Sequence, residues 1–562
     1  ACGSHEVCKQ HQETERRHRR LKGEDMKKSF LKAIALMGLT ALIFGSVVSC
    51  GKDNTEDETT IIYSNDSEDT LAVRILDDLL GDNESADKIM YDLNFFEKLS
   101  SAAITWEVVD GTAINEDGEL TLTNTEEEQI TISCKVGSKG NTYYYLVTVP
   151  SVTERAEEVL SVMEESMLHD VDNIRGNITL ADSYTSVYGE VVTVEWTSSD
   201  TSVITDEATG DDGEIPAGVV TRGESDTNVT LTAEISLYGI TKTVTYDATV
   251  IAAPAENTYT HYLYSYFRGN LGSGESQRIY LAASDDGFFW DVLNSGEYVL
   301  ENTEGTGGVR DPFLLRSADG DHFWLIGTDL DASGGDWTSY SDNGSKCIVV
   351  WQSDDLVNWS EIRLIEIAGE NAGCMWAPEA TYDPTTGEYI VYYSSNEGGG
   401  SKQIYYVKTR DFWTFTEPQI YKAYDTVTYI DTTMTYYDGV YYRFTKNENN
   451  ITILLETSDS VLGDYTLVKT VIAGEYGVEG PSIYKVGDEE KWVLYMDGYA
   501  NDNSGVGYFP LIADSLEDLQ TANFRRLEDD EYELPEGAKH GSFIPITDAE
   551  YEALVAAYGI GE

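Results

Sequence analysis

The sequence predicts an all-β protein: a five-bladed β-propeller over residues 259–560, preceded by two small immunoglobulin-like β-sandwich domains over 70–151 and 152–252. Three observations carry this. First, a strand-like run ends five times in a small polar turn followed by an aromatic or apolar residue, at Ser284-Asp285-Asp286, Ser353-Asp354-Asp355, Thr409-Arg410-Asp411, Ser458-Asp459-Ser460 and Ala513-Asp514-Ser515. Successive starts lie 69, 56, 49 and 55 residues apart, and a repeat of roughly 40–60 residues made of short strands is how propeller blades look in sequence. Second, the segments ahead of the repeats alternate apolar and polar residues with period two. Third, single acids stand in defined settings in three repeats: Arg310-Asp311-Pro312, Ile430-Asp431-Thr432 and Glu479-Gly480-Pro481. Innermost propeller strands converge on the axis, so these carboxylates are expected in one pocket, and paired carboxylates are what glycoside hydrolysis requires.

From the N-terminus, residues 1–25 are polar and read as a leader foreign to the protein. Met26 to Lys32 is basic, an apolar run follows from Ala33 to Val48, and it closes on Val47-Val48-Ser49-Cys50-Gly51. That order of regions is an export signal over 26–49, and its ending resembles a bacterial lipobox, which implies lipidation of Cys50. The run is about 16 residues, short for a membrane span; a retained membrane helix is the alternative. Residues 50–69 are acidic and polar, with too little apolar content to fold, and read as a flexible tether. The expected location is therefore a bacterial cell surface or periplasm-facing lipoprotein, held to the membrane by its lipid alone.

The two small domains share a plan. Each opens with a helix-like run (Leu71–Leu80, Ala156–Met163), then a Trp on an alternating strand (Trp106, Trp196), further alternating strands (Glu119–Thr123, Gln129–Ser133 and Val229–Ile235), and a long closing strand (Tyr143–Val149, Thr243–Val250). Regular short strands over such lengths indicate β-sandwiches, and the pattern resembles atrophied bacterial immunoglobulin-like modules. They serve as spacers or as glycan binders.

In the repeat region the first segment lacks an inner strand of the Asp-Pro type, and the C-terminus supplies a lone strand at His540–Pro545. The two ends are expected to share a blade, which closes the ring and leaves no long free sheet edge.

Composition limits the partners. The formal charge is −63, which repels polyanions, so nucleic acid is excluded and acidic polysaccharide is disfavoured unless a local basic pocket overrides it. A neutral polysaccharide or oligosaccharide is the expected partner. The 38 Tyr among 11% aromatic residues suit sheet surfaces and sugar stacking alike. The six cysteines match no zinc motif; Cys347 and Cys374 are either a pair or two small buried side chains.

Taken together, Arg310-Asp311-Pro312, Trp376-Ala377-Pro378-Glu379, Ile430-Asp431, Glu479-Gly480-Pro481 and His540-Gly541, in this order on strands of a repeat, resemble glycoside hydrolase family 43 over about residues 259–560. The resemblance implies inversion at the anomeric carbon, with Asp311 as base, Glu479 as acid and Asp431 raising the pKa of the acid while orienting it. Asp431-Thr432 departs from the more frequent Asp-Pro or Asp-Ala, which touches the third acid alone. Glu379 resembles the family's structural acid. No cofactor is required; a calcium ion on the axis near His540 is the one metal the resemblance suggests, against a hydrogen-bonded core histidine. Phe313 and Trp376 are candidates for sugar stacking or for core packing, and Arg443 for a sugar hydroxyl, for Asp431 or for the surface. The implied substrates are plant cell-wall hemicellulose or arabinan side chains, with α-L-arabinofuranoside first and β-D-xyloside second; endo-acting arabinanase and exo-galactanase stay open. A fructan-hydrolase relation would need Asn-Asp-Pro-Asn and Glu-Cys motifs that the chain lacks. The alternative of another class is a non-catalytic surface glycan-binding lipoprotein, which has no need of three such acids. The Gly-rich insert Asp331–Trp337 is expected at the pocket rim.

Overall fold

The computed structural model describes residues 70–138, 140–210, 213–269, 276–423 and 426–561. The leader, the export signal, Cys50 and the tether lie outside the described residues. Among the described residues no helix is long and apolar enough to cross a membrane. The protein is mostly β, with seven antiparallel four-stranded sheets.

The first two sheets belong to the small N-terminal modules. Helix α1 (Thr70–Leu80) buries Ala72, Ile75 and Leu79, the apolar stripe of a 3.6-residue period. It lies on the sheet formed by Lys98–Leu99, Ala102–Asp110, Glu128–Val136 and Thr142–Val149. The last strand alternates strictly, with Tyr143, Tyr145, Val147 and Val149 inward, and the Tyr145 hydroxyl donates to Ala72 O at 3.1 Å. Removing a side chain such as Ile75 from this cluster would cost about 2–5 kcal/mol. Helix α2 (Val152–Val162) starts on a capping box between Ser151 and Glu154, which satisfies two otherwise unpaired backbone donors. It covers one end of the second sheet, built from Ser183–Thr185, Val191–Ser198, Thr227–Leu237 and Ile240–Val250.

Each module thus holds one four-stranded sheet, where the sequence suggested two sheets face to face. The physical reason is that a helix and irregular segments cover the single apolar face. In the second module Val229, Leu231, Ala233, Ile235 and Leu237 all point to that one face. The alternating run Glu119–Thr123 forms no strand; Leu120 makes an isolated bridge to Ile114, and Leu122 has φ +52°, which breaks the extended backbone. The two tryptophans occupy matching places, each indole N–H donating to a backbone carbonyl, Trp106 to Phe96 at 2.9 Å and Trp196 to Ala181 at 2.8 Å.

Five further sheets follow. Sheet I combines both ends of this part of the chain, in the order Asp291–Val292, Tyr280–Ser284, Tyr259–Arg268 and Ala538–Thr547. Sheets II to V run in simple sequence order and begin with Val309–Arg316, Trp376–Asp383, Tyr429–Tyr437 and Val478–Lys485. These four strands and Ala538–Thr547 touch one another in cyclic order. The recurring polar turn always ends the third strand counted from this contact. Ser284, Ser353 and Thr409 accept through their hydroxyl oxygens from the backbone N–H three residues on, at 2.9, 3.0 and 2.9 Å. Asp286, Asp355 and Asp411 each cap two further N–H groups. This is the hydrogen bonding that makes Ser, Thr and Asp turn residues. Cys374 is a free, buried thiol, so the Cys347–Cys374 pair does not form.

The second module is held against sheets II and III. Asp321 accepts from Arg222 at 2.6 Å and from Arg175 at 2.8 Å, Asn177 donates to Gly387 O at 3.0 Å, and His169 stacks on Trp413 with centroids 3.9 Å apart. A crevice of about 340 Å³ lies in this junction, at the ends of the first strands opposite to Asp311 and Glu479.

Candidate active site

The site grows from one irregularity repeated around the five contacting strands. Each carries a register shift near its start, at Arg310/Phe313, Trp376/Glu379, Ile430/Thr432, Glu479/Ser482 and Ala538/Gly541. In four of them the shifted residue is left-handed: Asp311 (φ +48°), Ala377 (+46°), Asp431 (+48°) and Gly480 (+53°). A bulge re-aims side chains and tends to sit beside functional sites. For the two aspartates and the alanine this conformation costs on the order of 1–3 kcal/mol each, which the surroundings must offset. They do so by hydrogen bonds between neighbouring sheets. Ala377 N–H donates to Thr328 Oγ1 at 2.7 Å, Asp431 N–H to Ser394 Oγ at 3.1 Å, and Gly480 N–H to Asp431 Oδ2 at 3.0 Å. Gly480 has a second reason to be glycine: a Cβ there would stand 2.8 Å from the His540 ring.

The geometry brings Asp311, Asp431, Glu479, Glu379 and His540 together. Asp311 Oδ1 lies 3.3 Å from His540 Nδ1, and Asp311 Oδ2 accepts from Thr328 Oγ1 at 3.0 Å. Burial opposes the charge on Asp311, but the hydrogen bond and positive charge of His540, with Arg310 and Thr328, hold its carboxyl below the usual range. Burial pushes Asp431 up to about 6; His540 and Lys446 pull the other way, and the negative charges of Glu479 and Asp311 add to the rise. Glu479 Oε2 accepts from Lys446 Nζ at 2.9 Å. That lysine is fully buried, pairs also with Glu448 at 2.6 Å and donates to the Tyr499 hydroxyl at 3.0 Å. Burial alone would lower the pKa of Lys446, yet the charges of Glu479, Asp431 and Glu448 raise it. Across the strand pair from Glu479 stands Asp497, buried and bonded to Lys539 at 2.9 Å.

His540 is buried in this group, its Nε2 4.0 Å from Glu379 Oε1. Burial disfavours its charge, but the bond to Asp311 and the charges of Asp311, Asp431 and Glu379 raise its pKa to about 9. Burial pushes the Glu379 carboxyl up to about 8, with His540 opposing. Both ring nitrogens of His540 face carboxyl groups, Nδ1 toward Asp311 and Nε2 toward Glu379. Calcium takes six to eight oxygen ligands, and among the described residues no group of three His, Cys, Asp or Glu side chains is placed to hold an ion.

The other expected residues divide. Trp376 is half-buried at the rim, with Lys402 Nζ 4.3 Å from its ring centroid and Trp337 edge-on at 6.1 Å. Trp337 comes from the Gly-rich insert, which ends in a short helix, Trp337–Asp342, started by Asp336 accepting from Ser339 N. Phe313 packs against the cluster of Trp324, Ile326 and Tyr393. Arg443 is away from the acids: it is buried, pairs with Glu456 at 2.9 Å and lies under Tyr465 at 3.6 Å. On the same strand, Val440–Asn447, Lys446 is three positions on and so faces the other side. Lys446 is what the sequence reading missed; it is the second cation of a strand that also carries Arg443, and nothing in the strand's own sequence separates the two.

Residues 257–552 match the family model described as "Probable glycosyl hydrolase domain", a model related to glycoside hydrolase family 43. The chain is 37% identical over 292 residues to an α-L-arabinofuranosidase of Bifidobacterium longum subsp. longum, covering 45% of this chain and 27% of that enzyme. The match thus spans about a quarter of the relative's length. Solved structures similar to this one include an α-L-arabinanase of Penicillium chrysogenum complexed with arabinobiose (15% identity, TM-score 0.31, covering 58% of this chain and 81% of that one). Another is an α-L-arabinofuranosidase of Lactobacillus brevis (17% identity, TM-score 0.28, covering 39% and 72%).

Proposed function

The chain belongs to the family of glycosyl hydrolase domains related to glycoside hydrolase family 43, and on that premise we propose that it is an inverting glycosidase on a five-bladed propeller. Asp311 acts as base and Glu479 as acid. The observation that carries this reading is the linkage of Asp311, Asp431 and Glu479 in one half-buried group, each on a bulged strand of a different sheet.

Inversion needs one carboxylate to deprotonate a water and one carboxylic acid to protonate the leaving oxygen from the other side of the sugar, with the two about 6.5–9.5 Å apart. Asp311 suits the base: its carboxyl is kept ionised by the His540 cation and by Thr328. Glu479 suits the acid: its side chain is partly exposed, and Lys446 does not depend on it alone. When Glu479 takes up a proton, Lys446 keeps Glu448 and the Tyr499 hydroxyl, so no buried cation is stranded. Asp431 fixes the backbone of the acid through Gly480 N–H. His540 holds the base by charge and hydrogen bond.

The favoured substrate is a terminal α-L-arabinofuranoside of arabinan or hemicellulose, in keeping with the arabinofuranosidase relative; β-D-xyloside is the second choice. The two N-terminal modules are spacers and Cys50 a lipid anchor, so that the site faces outward from a bacterial membrane toward its polymer. The test is release of aglycone from aryl α-L-arabinofuranoside and aryl β-D-xyloside by the wild type and by Glu479→Gln. Release from one sugar, lost in the variant, supports the reading. No release from either would set the exo-acting reading aside and leave an endo-acting or polymer-specific enzyme, or a non-catalytic glycan-binding protein.

A further inference from the structure

The mouth of the site carries two cations that form no ion pair with the acids, although the charge of Arg310 helps to hold the Asp311 carboxyl low. Arg310 precedes the proposed base. Its guanidinium lies 4.4 Å from the Phe267 ring centroid and 5.5 Å from that of Trp337. Lys402 lies over Trp376 and donates to Ser341 Oγ at 2.7 Å. Trp337 and Trp376 stand edge to face between them. Cation, indole, indole, cation therefore form one continuous wall, and Trp337 is half exposed. Neither cation has an ion-pair partner among the described residues, and the Arg310 guanidinium donates no hydrogen bond to any of them. That is unexpected in a chain of formal charge −63, where 100 Asp and Glu compete for 37 Lys and Arg. Across the strand pair of sheet IV, by contrast, Lys446 is paired twice.

A guanidinium stacked on an aromatic face keeps its N–H fork in the ring plane, open at the edge, which is the geometry that receives a carboxylate in two parallel hydrogen bonds. A lysine above an indole is held in position by the ring while its charge stays available. Indole faces meanwhile suit the C–H face of a sugar ring. We propose that Arg310 and Lys402, with Trp337 and Trp376, form a subsite for a uronic acid residue linked beside the sugar that is released, so that the preferred substrate is an acidic branch of a plant polysaccharide. This rests on the reading of Asp311, Asp431 and Glu479 as the site of cleavage, and it reverses the expectation of a neutral glycan drawn from net charge. Net charge acts at long range and is screened beyond about 8 Å at physiological ionic strength; the two cations act at contact.

The test uses the full chain carrying Glu479→Gln, and a uronic-acid-bearing arabinogalactan oligosaccharide beside its carboxyl-reduced form, which differs only in the missing carboxylate. Calorimetry should give about fivefold or tighter binding of the acidic form, a ratio reasonable for charge-assisted bonds at a partly exposed site. Adding Lys402→Met, or Arg310→Met, should bring the ratio close to one. Lys402→Gln serves as a second variant, with circular dichroism and melting temperature as the folding check. Equal binding of the two forms, or a preference that survives both methionine variants, overturns the proposal. Binding of neither form also overturns it, and hydrolysis of the aryl glycoside by the wild type would then show that the hydrolase reading stands without it.

Discussion

Asp431 accepts the backbone N–H of Gly480 at 3.0 Å, so the third acid is bonded directly to the residue that follows Glu479 on the neighbouring sheet. The same construction recurs at Ala377 and at Asp431 itself, where a left-handed residue gives its N–H to a side chain of the preceding sheet. Backbone of one sheet and side chain of the next are thereby tied together around the acids, which is the positioning that catalysis asks of a scaffold.

Lys446 is expected to act as a positioning residue for Glu479. Lys446→Met removes the cation between Glu479 and Glu448 while both carboxylates can still reach water. The expected result is a fall in kcat of roughly 10–100-fold with little change in KM, since small misplacements of a catalytic group cost about that much. Lys446→Arg should not restore activity, because a planar fork does not fit a site built for a point charge. Steady-state kinetics of the three proteins on one aryl glycoside decides this.

His540 should make stability depend on pH. Its folded pKa is raised from 6.5 to about 9, so the stabilisation it contributes is fully present below 6.5 and is lost as pH rises through about 9. Asp311 has the opposite sign: its folded pKa is lowered from 3.8, and its contribution is present above that value and lost as pH falls. Denaturant unfolding of wild type and His540→Asn should therefore differ most between about pH 4 and 6.5 and converge by about pH 10. A difference that does not shrink toward high pH would show that the His540 charge is not what holds the group.

The junction of the second module with sheets II and III depends on Asp321. Its side chain satisfies Arg222, which is 3% exposed, and Arg175. Asp321→Asn leaves the buried Arg222 only the longer, more exposed pair with Asp319 at 3.6 Å and should cost about 1–3 kcal/mol, less than a fully buried pair because Asp321 is 18% exposed. The kinetic constants on an aryl glycoside should stay unchanged, because the junction lies at the strand ends away from the acids. Urea unfolding and the same assay on the same preparation test both halves.

The residues that were legible in the sequence are those whose setting carries a backbone signal. Asp311 before Pro and Glu479 before Gly-Pro stand out because Pro and Gly punctuate a strand, and Gly480 is left-handed as a glycine there suggests. The left-handed φ of Asp311, Ala377 and Asp431 is invisible, since nothing but the surrounding hydrogen bonds makes those residues adopt it. Arg443 and Lys446 show a second limit. Strand Val440–Asn447 is buried on both faces, so alternation gives no inside or outside, and only the fold tells which cation meets Glu479. In the small modules, Thr227–Leu237 displays one apolar face clearly, but period-two alternation does not say whether a second sheet or a helix covers it.

The account rests on Asp311 and Glu479 acting from opposite sides of one sugar. The measurement that tests it most directly is proton NMR of the first product formed from aryl α-L-arabinofuranoside, for wild type, Asp311→Asn and Glu479→Gln. The account predicts that β-arabinofuranose appears first and that each variant loses about 10²–10⁴-fold in rate without loss of folding. Initial release of the α anomer, or a variant that keeps the wild-type rate, would contradict it.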